Sequence, residues 1–130
     1  MVKTILLYLW QLPQNLLGLL VILFTKAEKA NPFYWRTSKH RFGVSLGSYI
    51  IFGAVSDRYI TWRSVKHEMG HQKQSLYLGW LYLLIIGLPS AIGNIYDRVT
   101  HKNWSYKESE KWYYAQPWEA WADRLGGVER

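Results

Sequence analysis

The feature that most constrains the fold of this chain is the segment His67-Glu68-Met69-Gly70-His71, which has the pattern HExxH. Residues four apart lie on one face of an α-helix, so the pattern predicts a helix whose two imidazoles reach one metal ion. Glu68 would then lie beside the open coordination position, where it can accept a proton from water. Because zinc in such sites has three protein ligands, another part of the chain must pack against this helix.

The surroundings of the motif favour a metal site over the alternative, an ordinary helix that carries two solvated histidines. Val65, Met69 and Leu76 give the same helix an apolar face that can be buried. Gly70 carries no side chain between the two histidines, which leaves room for a second segment to approach. The longer pattern HExxHxxGxxH is absent, because Gln74 stands at its glycine position, and this argues against the metzincin arrangement.

The third ligand has to come from a downstream histidine or carboxylate, and the candidates are Asp97, His101, Glu108, Glu110, Glu119, Asp123 and Glu129. Glu119 stands out because Pro117 suits the first turn of a helix and Gly126 suits its C-terminal exit. Asp123 lies one turn later on the same face, where it can accept a hydrogen bond from the outer nitrogen of a metal-bound histidine. Two alternatives stay open: a solvated acidic helix face, and His101 as the third ligand from a loop-like stretch.

HExxH on one helix, followed by Glu-x-x-x-Asp on a later one, resembles the gluzincin zinc metallopeptidases in a minimal single-domain form. The resemblance implies that His67, His71 and Glu119 bind Zn2+. It also implies that Glu68 is the general base and that Asp123 orients a zinc-bound histidine. The family stabilises the oxyanion with a tyrosine or a histidine, and the candidates in this chain are Tyr113, Tyr114 and His101.

The sequence predicts an α+β fold that is mainly helical, with a small sheet before the HExxH helix and apolar helices at the N terminus and in the centre. Residues 43–52 alternate in part and contain β-branched and aromatic side chains, so we expect one or two strands there, while residues 37–41 form a loop or a first strand. By resemblance, an edge strand binds extended peptide; a core sheet without a ligand is the alternative. We divide the chain into an apolar helical segment, 1–30, and a zincin-like domain, 31–130.

Residues 5–24 are long enough to span a bilayer, but Gln11, Pro13, Gln14 and Asn15 interrupt their apolar character. The segment can be a transmembrane anchor, a helix lying at the membrane surface, or a buried helix of the core. We expect membrane association, because residues 16–24 are apolar on all sides.

A second apolar stretch, residues 76–95, constrains the topology. If it crossed a bilayer once, His71 and Glu119 would lie on opposite sides and could not share a metal ion. We therefore expect a helix that is broken near Leu88-Pro89, buried or dipping into one leaflet, and followed by a second short helix.

The composition limits the kinds of metal site and binding partner that the chain can have. The chain has no cysteine, which excludes disulfides and a thiolate zinc site. Its net charge of +7 suits a domain that faces anionic lipid on the cytoplasmic side, and no nucleic-acid-binding motif accompanies the charge. We expect a membrane-associated protein with its site on the cytoplasmic side, a soluble cytoplasmic protein being the alternative, and no nucleic-acid partner.

Three functions follow from these patterns. We favour a zinc metallopeptidase that acts on a peptide or protein substrate. The second is an intramembrane protease of the site-2 type, although the polar side chains around the motif would be costly in hydrocarbon: Lys66, Gln72, Lys73 and Gln74. The third is a membrane-surface interaction module in which the metal is structural or absent.

Overall fold

Six α-helices and a four-stranded mixed sheet build the protein, and the computed structural model describes residues 1–130. The mainly helical α+β fold expected from the sequence is confirmed. The helices are α1 (Val2–Trp10), α2 (Leu12–Thr25), α3 (Trp62–Leu78), α4 (Leu88–Thr100), α5 (Tyr106–Ala115) and α6 (Pro117–Gly126). The strands are β1 (Glu28–Lys29), β2 (Tyr34–Thr37), β3 (Phe42–Leu46) and β4 (Tyr49–Ala54).

The sheet has the strand order β1-β2-β4-β3, so that β4 lies in its interior and β3 forms one edge. β3 and β4 make an antiparallel hairpin whose turn contains Gly47 at a φ of +66°, a conformation that side chains disfavour. Two strands therefore lie where residues 43–52 predicted one or two, and residues 38–41 form no strand. β3 is an edge strand, as is β1, whereas β4, the last strand before α3, is paired on both sides.

The two faces of β4 pack against different helices. Ile51 is buried with Ile22 of α2, while its neighbours Ile50 and Phe52 are buried with Val65 of α3. Successive side chains of a strand point to opposite faces, which explains how one strand serves two helices. The interior strand thus packs against α3 on one face of the sheet and against α2 on the other.

Helices α3 and α6 pack with their backbones close together. A Cβ atom on Gly70 would collide with the carbonyl oxygen of Ala122, and one on Gly126 would collide with the carbonyl oxygen of Lys66. α6 spans the segment that the sequence predicted as a helix, with Pro117 in its first turn. Because the two axes come so close, short carboxylate side chains of α6 can reach the histidines of α3.

Polar residues within the apolar N-terminal segment attach it to the end of α3. The amide of Gln14 donates to Oγ of Ser75 and to the carbonyl oxygen of Gly79, both at 2.8 Å. Ser75 in turn donates to Oε1 of Gln11 at 2.6 Å. Both glutamines are buried, and buried polar groups of this kind require partners. The residues that interrupt the apolar stretch are therefore the ones that dock it.

The apolar stretch of residues 76–95 bends between Gly79, which ends α3, and Leu83, so the break predicted near Leu88-Pro89 is wrong. Gly79 has a φ of +55°, and a Cβ atom there would collide with the indole ring of Trp10. Pro89 lies in the first turn of α4, directly after a π-helix (Leu83–Gly87), at a position that proline tolerates in a helix. The bend directs α4 back beside α5 and α6.

No single helix is both long and apolar enough to cross a bilayer. Two pairs of helical segments reach the required length and composition only when taken together. Val2–Trp10 and Leu12–Thr25 meet at a bend of 87°, and Trp62–Leu81 and Leu83–Thr100 meet at a bend of 117°.

The close approach of α3 and α6 predicts that Gly70→Ala destabilises the protein. The added methyl group meets a backbone carbonyl, which cannot move aside as a flexible side chain can, so we expect a loss of about 1–3 kcal/mol in the free energy of unfolding. Urea unfolding followed by circular dichroism measures the loss.

Gly93→Ala is the matched control, because the nearest atom to a Cβ at Gly93 of α4 is a ring carbon of Tyr113 at 4.0 Å. There the helical preference of alanine should leave stability unchanged or raise it by about 0.5–1 kcal/mol. Equal stability of the Gly70→Ala and Gly93→Ala proteins would contradict the proposed backbone contact.

Candidate metal centre

His67, His71 and Glu119 form a buried cluster between α3 and α6. One ligand atom from each residue lies within 4.8 Å of the other two. Nε2 of His71 is 2.8 Å and Nε2 of His67 is 3.4 Å from Oε1 of Glu119. Two imidazole nitrogens and one carboxylate oxygen are a donor set that suits zinc, so the cluster could hold a metal ion.

The outer nitrogens of both histidines are held by hydrogen bonds. Nδ1 of His67 donates to Oδ1 of Asp123 at 2.7 Å, the contact that the sequence proposed for this carboxylate. Nδ1 of His71 donates to Oε1 of Gln74 at 2.6 Å, and the amide nitrogen of Gln74 donates to the carbonyl oxygen of Trp118. Contacts of this kind fix the tautomer and aim of a metal-binding imidazole, leaving Nε2 as the ligand atom.

Glu119 and Asp123 are themselves held by residues that sequence reasoning missed. Ser90 of α4 donates to Oε2 of Glu119 at 3.2 Å and accepts a hydrogen bond from the hydroxyl of Tyr113 at 2.8 Å. Arg130 donates to Oδ2 of Asp123 through Nε at 2.7 Å. Gln74 had a sequence signal, since it lies three residues after His71 on the same helix, whereas Ser90 and Arg130 had none.

Glu68 differs from the other carboxylates of the site because one of its buried oxygens forms no hydrogen bond. Its Oε2 atom is buried and has no hydrogen-bond partner in the protein. Gly43 of β3 lies beside this side chain, since a Cβ atom there would be 3.3 Å from Oε1 of Glu68. Burial raises the pKa of Glu68, although the nearby imidazoles of His71 and His67 oppose the shift. A buried carboxylate with a free oxygen and a raised pKa is suited to proton transfer.

A cleft with a volume of about 1090 Å³ opens on this group, and its walls include His67, Glu68 and His71. The edge strand β3 lines it, together with residues of α4 and α5. A cleft of this size is large enough for part of an extended polypeptide.

The three candidate oxyanion stabilisers all line the cleft but differ in their contacts. The hydroxyl of Tyr113 is hydrogen-bonded to Ser90. His101 is paired with Asp97 at 2.8 Å and stacks on a tryptophan ring, and it does not belong to the His67 cluster. The ring of Tyr114 packs edge-on against His67, with 4.9 Å between ring centroids. The structure therefore places Tyr114 directly beside a candidate ligand and His101 outside the ligand cluster.

The electrostatics of the cluster favour a bound cation. Burial lowers the pKa of His67, but hydrogen bonds to Asp123 and Glu119 outweigh it and raise the pKa to about 9. Burial raises the pKa of Glu119, but hydrogen bonds from His67 and His71 outweigh it and lower the pKa to about 2. In the metal-free protein, a proton on the imidazoles thus supplies the positive charge that a metal ion would otherwise supply.

Zinc binding should therefore release protons and strengthen with pH. Because the pKa of His67 is raised to about 9, metal binding at neutral pH displaces at least one proton, and the affinity should rise by a factor of about ten or more per pH unit up to that pKa. Titration calorimetry in buffers of different ionisation enthalpy measures the protons released. A zinc affinity that does not change between pH 6.5 and 9 would contradict the assignment, and His101→Gln should leave the proton release unchanged.

The same pKa shift links the stability of the metal-free protein to pH. The folded pKa of His67 lies above its ordinary value of 6.5, so its ion pair stabilises the fold fully below pH 6.5. That stabilisation is lost as the pH rises through about 9.

Comparison with known proteins found no relative of this chain. No protein-family model matches the chain, and neither a curated protein nor a solved structure matches it. The function proposed below is supported by the chemistry of the side chains around His67, His71 and Glu119.

Proposed function

We propose that the protein is a small zinc-dependent metallopeptidase. The observation that carries the proposal is the buried cluster of His67, His71 and Glu119 with a free oxygen of Glu68 beside it, at a cleft. Two imidazoles and a carboxylate are the ligand set of many peptidase zinc sites. The HExxH segment and the Glu-x-x-x-Asp segment come from two helices that pack face to face, as the gluzincin resemblance implies.

In the proposed mechanism, His67, His71 and Glu119 would hold a zinc ion, which would supply a Lewis acid for the scissile carbonyl and for water. Glu68 accepts a proton from the attacking water as the new C–O bond forms. It then passes the proton to the amine nitrogen as the C–N bond breaks. Asp123 keeps His67 in place through Nδ1, and Gln74 does the same for His71.

Tyr114 is the residue we assign to the oxyanion. Its ring lies against His67, and it is not committed to Ser90 as Tyr113 is. Burial raises the pKa of Tyr114, which keeps the hydroxyl protonated and able to donate a hydrogen bond. β3 supplies a free strand edge along the same cleft, where an extended peptide could pair with the main chain beside Gly43.

Replacing Glu68 by Gln should abolish peptide hydrolysis and leave zinc bound, because the amide cannot accept the proton and is not a ligand. We expect a loss of about 10²-fold or more in the rate of hydrolysis of fluorescent casein. Zinc content measured by mass spectrometry should stay near one ion per chain in this variant, and should fall in His71→Ala and in the nearly isosteric Glu119→Gln.

Glu108→Ala is the control for these variants, since Glu108 is an exposed residue of α5 outside the cluster. In the same assay, Tyr114→Phe should lower kcat by about 10²-fold, and Tyr113→Phe should lower it much less. A wild-type protein that holds zinc but hydrolyses no polypeptide would contradict the peptidase proposal and would favour a structural metal.

We also propose that the protein binds to a membrane surface. α2 exposes Leu16, Leu20 and Leu23, and the segment from the end of α3 into α4 exposes a further group: Trp80, Leu81, Leu84, Ile85, Leu88, Ile92 and Ile95. A hydrogen bond links the two apolar segments: the indole of Trp80 donates to the carbonyl oxygen of Leu9. Exposed apolar area on this scale is characteristic of interaction surfaces, and the net charge of +7 favours anionic lipid.

Flotation with vesicles containing phosphatidylglycerol tests this proposal. Leu20→Glu and Leu84→Glu should each reduce the bound fraction by about tenfold, since a charge replaces an exposed apolar side chain that would enter the lipid. Val55→Glu is the matched control, because Val55 is equally exposed but lies in the loop after β4. Vesicle binding that is lost equally in all three variants, or absent in the wild type, would contradict the membrane proposal.

A further inference from the structure

The two long walls of the cleft, β3 and α4, lie side by side with opposite chain directions. Leu46 at the end of β3 packs in one cluster with Leu83, and α4 begins at Leu88, shortly after Leu83. At the other end, Arg41 immediately precedes β3, and Arg98 lies in the last turn of α4. Leu88 and Arg98 are ten helical steps apart, which corresponds to about 15 Å. The cleft therefore has one end at Leu83 and a second end at Arg41 and Arg98.

The end at Leu83 is apolar. The residues that line it come from α2, β3, the π-helix and the start of α4: Leu17, Val21, Val44, Leu46, Leu83 and Leu88. Leu17 is 42% exposed and Leu88 is 51% exposed, so both also belong to the exposed apolar surface of the helices. The apolar end of the cleft is thus continuous with the surface that we propose meets the membrane.

The opposite end is basic. Arg41, Arg98 and Lys102 line it and are exposed, and neither Arg98 nor Lys102 forms an ion pair. The carboxylates that line the same end are already paired within the protein. Asp97 is bonded to His101 at 2.8 Å, and Glu110 is paired with Arg63 at 2.9 Å. With Glu110 paired to Arg63, the three cations Arg41, Arg98 and Lys102 outnumber the remaining carboxylate, Asp97, so this end is positive and suits an acidic ligand.

The reactive groups lie between the two ends. Glu68 is beside Gly43, the second residue of β3, and His67 and His71 of α3 line the same cleft. A polypeptide that lies along β3 would therefore place one flank over the leucine-lined end and the other flank over Arg98 and Lys102.

We propose that the substrate is a polypeptide whose cleaved bond separates an apolar stretch from an acidic stretch. This inference rests on the peptidase function proposed above. The apolar stretch occupies the end at Leu17 and Leu88, where a segment lying in the membrane surface can enter the cleft sideways. The acidic stretch occupies the end at Arg98 and Lys102.

Peptide binding to zinc-loaded Glu68→Gln protein tests the proposal without turnover. Fluorescein-labelled peptides with a leucine-rich half and a glutamate-rich half are compared, by anisotropy, with peptides in which lysine replaces every glutamate. We expect the acidic peptide to bind about tenfold more tightly than the lysine peptide, with a difference that shrinks as salt is added.

Variants on the same background locate the two ends. Combining Arg98→Glu with Lys102→Glu should weaken binding of the acidic peptide by about tenfold and strengthen binding of the lysine peptide. Lys29→Glu, on β1 at the opposite edge of the sheet, is the control. At the apolar end, Leu17→Asn should weaken both peptides, and Leu23→Asn, exposed on the same helix but outside the cleft, should not.

Equal affinities for the two peptides, no binding of either, or affinities that the charge reversals leave unchanged would each overturn the proposal. Casein hydrolysis by the wild-type protein separates this failure from failure of the peptidase function. If casein is cleaved while the peptides are not distinguished, only the substrate inference fails. If the peptides are distinguished while casein is not cleaved, the two-ended cleft stands and the peptidase function fails.

Discussion

The contact between the backbones of α3 and α6 is the constraint on which the rest of the structure depends. Gly70 and Gly126 remove the side chains that would hold the helices apart. Only at this separation can Glu119 and Asp123, with their short side chains, contact His67 and His71. A buried group of two imidazoles and two carboxylates would be costly if its members were unpaired, so the close contact makes the polar site compatible with the core.

The centre of the site could be predicted from sequence because its parts are local. His67 and His71 need only helical periodicity to share a face, and Glu119 and Asp123 need only the same periodicity on a second helix. Pro117 marked the start of that second helix. The structure brings all four side chains into contact, with distances between 2.7 and 3.4 Å. Their roles in binding zinc and in catalysis stay predictions for the experiments above.

The surroundings of the site could not be predicted because they depend on long-range packing. Ser90, which contacts Glu119, follows a bend between Gly79 and Leu83, whereas the sequence pointed to Pro89, which proved compatible with the first turn of α4. Proline is the stronger local signal, whereas the positive φ of Gly79 and its contact with the distant ring of Trp10 are visible only in the structure. Likewise, from the sequence Gln14 only interrupts an apolar segment of membrane-spanning length. Its structural role is seen in its hydrogen bond to Ser75, which is distant in the sequence.

Two consecutive residues of α3, Gln74 and Ser75, are fully buried and bind partners on different sides of the helix. Gln74 connects His71 to the main chain of α6, and Ser75 receives the glutamines of the N-terminal helices. A rotation of α3 about its own axis would break one set of hydrogen bonds or the other. Hydrogen bonds on two sides therefore fix the rotation of the helix that carries both histidines. The N-terminal helices thus help to hold the two imidazoles in their orientation.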